Sequence, residues 1–179
     1  MPLNIPEPWH TFLLELDEAL NEETSLHCFG GFVMSMCYGL ERQTVDIDFV
    51  SIIPSDQRKI LVELGGDGSP LHNKYKVCLH AVTVANVPCD YETRLAELYP
   101  GAYRNIRLLV LDPYDLALSK LSRNIQRDRD DVRYLIKSVP LDRHILKARY
   151  EEELRPVYVG NIDEVELSIK LWLEAFYEQ

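Results

Sequence analysis

The feature that most constrains this chain is a pair of glycines set between two apolar runs. Leu26-His27-Cys28-Phe29 reads as a short strand and Phe32-Val33-Met34-Ser35-Met36-Cys37-Tyr38 as a buried helix closed by Gly39, with Gly30-Gly31 joining them. Two residues without a Cβ at such a junction let backbone N–H groups and a helix N-terminus approach an anion closely. Fifteen residues on comes Asp46-Ile47-Asp48, inside a β-rich run from Thr44 to Ile53 that stops at Pro54. A strand here buries Ile47 and sets both carboxylates on the opposite face, with Cα atoms about 6.5–7 Å apart. Backbone donors for an anion, followed by two hard oxygen ligands, suit a phosphate ester and its divalent cation. Arg42 and Thr44 add a charge and a hydroxyl beside the same point.

The remaining chain reads as α+β. Trp9, Phe12, Leu13, Leu16 and Leu20 recur at helical spacing, predicting an amphipathic helix over about 7–21. Ser55 opens a helix of about ten residues that ends at the Gly65-Gly66-Asp67-Gly68 turn. Tyr75 to Val87 alternates as one long strand or a hairpin, ending at Pro88-Cys89-Asp90, so Asp90 is expected just beyond a strand end. After a short helical piece, Asn105 to Leu111 reads as a further strand, and everything from Asp112 reads as helix. Asp112-Pro113-Tyr114-Asp115 is a helix start, with an N-cap oxygen, proline at the first position and an acid in the first turn. Later helices are expected over about 128–138, 142–153 and 162–178, the last with Val165, Ile169, Trp172, Leu173 and Phe176 inward. The division expected is an α/β core over 1–111 followed by a helical lobe over 112–179.

Composition narrows the setting. No apolar run reaches the ~20 residues of a membrane helix, and Met1 to Pro8 lacks the basic and apolar regions of a leader peptide, so a cytoplasmic protein with no membrane partner is expected. Cys28, Cys37, Cys78 and Cys89 form no C-x-x-C pair and read as buried core thiols. The net charge of −10 argues against indiscriminate nucleic-acid binding. Yet residues 120–149 hold nine Lys/Arg against four Asp, a local excess of +5 that could receive a phosphate-bearing substrate. Within it, helical geometry places Asn124, Arg127 and Asp131 within about 40° of Lys120, and Arg123 within about 60°. That polar stripe is expected to face a cleft, while Arg129 and Asp130 read as ordinary surface pairing.

The runs GGFVMSMCYGLERQTVDIDF and DPYDLALSKLSRNIQRDRDDVRYL, within about residues 27–136, resemble the small bacterial nucleotidyltransferase-like proteins allied to the AbiEii toxins of toxin–antitoxin pairs. The resemblance implies a DNA-polymerase-β-type nucleotidyltransferase core, a mixed sheet with packed helices, followed by a C-terminal helical lobe. It implies phosphate cradling by Gly30 and Gly31 and metal ligation by Asp46 and Asp48. It makes Lys120 a phosphate contact and Asp128 and Asp131 part of the catalytic cleft. Mg²⁺ or Mn²⁺ would be the cofactor, an NTP the substrate, a tRNA or protein hydroxyl the acceptor, and an antitoxin the controlling partner. Two departures stand out. Many members of the superfamily carry Gly-Ser where this chain has Gly30-Gly31, and a third carboxylate normally joins the pair. Asp90 is the candidate, as metal ligand or proton acceptor, with Glu92 as its alternative, and Arg127 would join Lys120 on the β- and γ-phosphates.

A catalytically silent nucleotide- or partner-binding module on the same fold is the competing expectation. A haloacid-dehalogenase-type D-x-D-x-[TV] nucleophile loop is disfavoured, because that motif follows an apolar strand and Leu40 to Thr44 is mostly polar.

Overall fold

Among the described residues, five strands form one mixed sheet in the order β3-β2-β1-β5-β4, and this sheet fixes the neighbours of the aspartate pair. The computed structural model describes residues 5–177, with the side chains of Phe176 and Tyr177 outside that description. Residues 1–4, part of the segment read as lacking a leader, and the Phe176 side chain expected on the last helix therefore lie outside the described residues. The strands are β1 (Thr24–Phe29), β2 (Asp46–Ile53), β3 (Cys78–Ala81), β4 (Ala96–Leu98) and β5 (Ile106–Val110). The helices are α1 (Trp9–Ala19), α2 (Gly30–Tyr38), α3 (Gln57–Gly65), α4 (Pro70–Tyr75), α5 (Pro113–Arg123), α6 (Gln126–Ser138), α7 (Arg143–Arg149) and α8 (Ile162–Tyr177). The expected α+β class is observed, with a mixed sheet and helical C-terminal part. Among the described residues, no helix is long and apolar enough to cross a membrane.

The chain divides into two compact units. One comprises 1–37, 41–83 and 96–110, and the other 38–40, 84–95 and 111–179. In the first unit β1 pairs β2 antiparallel and β5 parallel, β2 pairs β3 parallel, and β4 closes one edge antiparallel to β5. The parallel β2–β3 pair needs a crossover, which α3 and α4 supply. α1 buries Trp9, Phe12, Leu13 and Leu16, and Trp9 meets Phe32 edge-on with ring centroids 5.0 Å apart. Buried Asp17 extends the role of α1 beyond packing, since its carboxylate accepts from the backbone N–H groups of Arg104 (2.9 Å), Asn105 (2.6 Å) and Ile106 (2.7 Å). One side chain thus satisfies the donors at the entry to β5.

The long strand or hairpin expected over 75–87 is corrected to the four residues of β3. Its first residue, Tyr75, instead ends α4, which Ser69 caps by accepting from His72 N (3.1 Å) and Pro70 opens. The physical reason lies in β2, where Cys28 pairs with Phe49 but His27 pairs with Ser51, so Val50 is an extra residue. This bulge lets Ile47, Phe49 and Ile52 all face the core despite their spacing. The ladder to β3 reaches only as far as Val82 N donating to Phe49 O (3.0 Å), and the β-branched run that follows leaves the sheet. The expectation that Asp90 lies just beyond a strand end fails with it, because β3 ends at Ala81 and Asp90 precedes a 3₁₀ turn over Tyr91–Arg94. Cys28 and Cys78 are buried as expected, whereas Cys37 and Cys89 are exposed.

In the second unit Leu116, Ala117, Leu121, Val132, Leu135, Leu146, Leu154, Val165 and Ile169 are among the buried residues. Asp112 caps α5 as its sequence suggests, accepting from Asp115 N at 2.9 Å. Asp115 is fully buried and held by Arg94 (2.9 and 3.1 Å) and Arg149 (3.0 Å). The expected helix over 142–153 is an α-helix to Arg149 that widens into a π turn over Tyr150–Leu154.

Replacing the Asp17 carboxylate leaves three backbone donors without their partner. Asp17→Ala is expected to lower unfolding free energy by about 2–3 kcal/mol and the melting temperature by roughly 4–12 °C, read by urea and thermal denaturation.

Candidate functional site

Asp48 is the centre of the site because the strand on each side of β2 brings a different group to it. Across the antiparallel pair, Asp48 is registered with Phe29, the residue before the glycine turn. Across the parallel pair it is registered with His80. Gly30 has φ +78°, and a Cβ there would clash with Asp48 Oδ2 and lie 3.2 Å from the Asp48 Cβ. Position 30 therefore requires glycine twice over, for its left-handed backbone and for the room its missing side chain leaves to the carboxylate. Gly31, half-buried, stands in the first turn of α2.

The carboxylates behave as the period-two reading expects. Ile47 and Phe49 are buried, while Asp46 and Asp48 are half-buried on the other face. Thr44 Oγ1 donates to Asp46 O at 3.1 Å and approaches Asp46 Oδ1 at 3.4 Å, so its hydroxyl orients the first carboxylate. Ser35 Oγ on α2 donates to Arg42 O (3.1 Å), tying the segment before β2 to the helix after the glycine turn. His80 Nδ1 lies 2.7 Å from Asp48 Oδ1. Asp46, Asp48 and His80 each offer a ligand atom within 4.8 Å of the others, the geometry of a candidate metal centre. Two carboxylates and an imidazole fit a divalent cation, offering oxygen ligands and one ring nitrogen. Burial raises the thiols of Cys28 and Cys78 above the ordinary cysteine range, with nearby acidic side chains adding to it. Both stay protonated at neutral pH.

His80 was not among the residues singled out from sequence, where it passed as one member of a long alternating strand. Asp90 and Glu92, the carboxylates expected in its place, belong to the second unit. There both are exposed, Cys89 Sγ lies 3.7 Å from Asp90 Oδ1, and Tyr91 Oη donates to Glu92 at 3.4 Å.

The polar stripe expected on one helix is corrected as well. Asn124 adopts φ +51° and ends α5, so Lys120 and Asp131 lie on successive helices. Lys120 Nζ donates to Asp131 Oδ2 at 2.6 Å and lies 3.8 Å from Asp128, with the Lys120 side chain only 4% exposed. Arg123 grips Asp128 with two bonds of 2.7 Å. These charges pair with one another across α5 and α6, while Arg127 is exposed. A cleft of about 830 Å³ in the same unit lies elsewhere, along α7 and α8. Two of its four cations are matched within it, Arg155 by Glu166 and Lys147 by Glu151, and Glu174 adds a third acid, so it concentrates little net charge for a phosphate.

A double-mutant cycle tests the Gly30–Asp48 approach. Gly30→Ala is expected to cost at least about 1–2 kcal/mol from the backbone alone, plus the clash, and Asp48→Ala should recover the clash part. Additive losses in urea denaturation would show that the two positions do not touch.

Comparison with known proteins adds one finding. The model of a family described as "nucleotidyltransferase of unknown function (DUF6036)" matches residues 11–170. No curated protein and no solved structure gives a significant match.

Proposed function

The chain belongs to that nucleotidyltransferase family, and on this premise we propose that it moves an NMP from an NTP to a hydroxyl of RNA, tRNA in particular, or of a protein, as the toxin of a toxin–antitoxin pair. The observation that carries the proposal is the meeting of the Gly30 turn with Asp48, beside Asp46, on one sheet. A divalent cation, Mg²⁺ or Mn²⁺, held by Asp46 and Asp48 would polarise the α-phosphate and neutralise charge on departing pyrophosphate.

The protein's own groups do the positioning. Thr44 Oγ1 bonds to Asp46, and the backbone N–H groups at Gly30-Gly31 donate to phosphate oxygens whose approach a Cβ or longer side chain would obstruct. The Gly-Ser hydroxyl of other superfamily members is absent, so the phosphate grip at this turn rests on backbone alone. His80 occupies the place beside Asp48, and the reading needs no third carboxylate from Asp90 or Glu92. Arg127, exposed on α6, adds a guanidinium to the basic segment of the second unit. Lys120, Asp128 and Asp131 serve by fixing α6 on α5, and the basic 120–149 segment remains the proposed surface for an RNA acceptor.

A second reading, a catalytically silent nucleotide- or partner-binding module, draws on the Lys120–Asp131 pair. The cation that the family resemblance assigns to phosphate is already bound to a buried carboxylate.

Incubation with α-³²P-labelled NTPs, Mg²⁺ or Mn²⁺, total tRNA and cell protein separates the two. The transferase reading expects label on an acceptor and a loss of about a hundredfold or more in Asp48→Asn. Transfer that survives Asp48→Asn removes this site from the chemistry, and NTP binding without transfer supports the silent module.

A further inference from the structure

We propose that His80 is the third ligand of the cation held by Asp46 and Asp48, and that its imidazole tunes the centre toward manganese-class divalent ions over magnesium. The inference rests on the reading that Asp46 and Asp48 hold a cation, and it adds both a residue and a selectivity.

Register supplies the first argument. Asp46 and Asp48 lie on β2 and His80 on β3, and the parallel pairing sets Asp48 beside His80. Their nearest ligand atoms, His80 Nδ1 and Asp48 Oδ1, are 2.7 Å apart. In this contact Nδ1–H donates to the carboxylate; adjacent ligands around a cation with metal–oxygen bonds of about 2.1 Å stand about 3 Å apart, so a cation that displaces this proton needs only a small opening of the pair. All three donor atoms lie within 4.8 Å of one another.

Accessibility supplies the second. The His80 side chain is 60% exposed and that of Asp48 21% exposed. An imidazole consumed by the core would be enclosed, whereas this one stands at the open end of a short strand where an ion and its waters can reach it.

Donor chemistry supplies the third. Magnesium demands oxygen ligands and binds imidazole poorly, while manganese, cobalt and zinc accept nitrogen readily. Two carboxylates and a neutral imidazole also leave a bound divalent ion formally neutral, where three carboxylates would leave it at −1. A triphosphate approaching the neutral centre meets less repulsion.

The test is Mn²⁺ titration of the full chain followed by electron paramagnetic resonance, with Mg²⁺ competition and pulsed detection of ¹⁴N coupling. It is run with and without inorganic tripolyphosphate, which carries no nitrogen. The wild type should bind Mn²⁺ with ¹⁴N coupling. His80→Ala should abolish the coupling and weaken Mn²⁺ by about tenfold or more, with little change for Mg²⁺. His80→Asp, which restores an all-oxygen set, should move the preference toward Mg²⁺, and circular dichroism establishes that each variant is folded. Mn²⁺ bound through Asp48 without ¹⁴N coupling, and unweakened in His80→Ala, would overturn the role of His80 while leaving the carboxylate site standing. Absence of Mn²⁺ and Mg²⁺ binding in the wild type, with or without tripolyphosphate, would overturn both.

Discussion

The contact on which the site depends is the approach of the Asp48 carboxylate to a backbone position that has no side chain. Gly30 is left-handed, and the space its Cβ would fill belongs to Asp48. The sheet makes this approach inevitable once β1 and β2 pair with Phe29 opposite Asp48. A two-residue shift of that register would bring Asp46 to the turn instead, and a one-residue shift would bring Ile47. The burial of Ile47, Phe49 and Ile52 fixes the register, so the hydrophobic core of the first unit positions the polar site above it.

The same coupling explains the bulge at Val50. Without it, Ile52 would point with Asp46 and Asp48 to the polar face, and an apolar side chain would leave the core for solvent. With it, the core keeps three large residues and the β2–β3 ladder ends soon after Asp48 and His80 have been brought side by side. In the second unit the charges are internal in a different way. Lys120, Asp128 and Asp131 tie α5 to α6, and Arg94 and Arg149 surround fully buried Asp115. Removing one member of such a buried pair costs about 3–5 kcal/mol, which is reason enough for these residue types without chemistry.

Much of the fold was legible because local signals agreed. The strand, glycine turn and helix around Gly30, the alternation through Asp46 and Asp48, and the capped start at Asp112-Pro113 were each written in consecutive residues. What escaped depended on distant pairing. His80 is informative only once β3 lies parallel to β2, and the crossover that arranges this occupies the intervening α3 and α4. The β-branched residues 82–87 have strand propensity but no partner beyond Val82, so propensity misled there and carried Asp90 with it. β4 has three residues, too few for alternation to register. Ser69-Pro70 holds a readable helix start for α4, a capping hydroxyl followed by proline at the first helical position. The Lys120 stripe failed because Asn124 breaks the helix on which its angles were counted.

The central claim is that the glycine turn and the aspartates of β2 form one cation–phosphate site. Its most direct test is a crystal structure with Mn²⁺ and a non-hydrolysable NTP, in which anomalous scattering locates the ion. The account predicts an anomalous peak bonded to Asp46 and Asp48, with the triphosphate against the Gly30-Gly31 backbone. A nucleotide bound away from the glycine turn, or a manganese peak that neither aspartate touches, would contradict it.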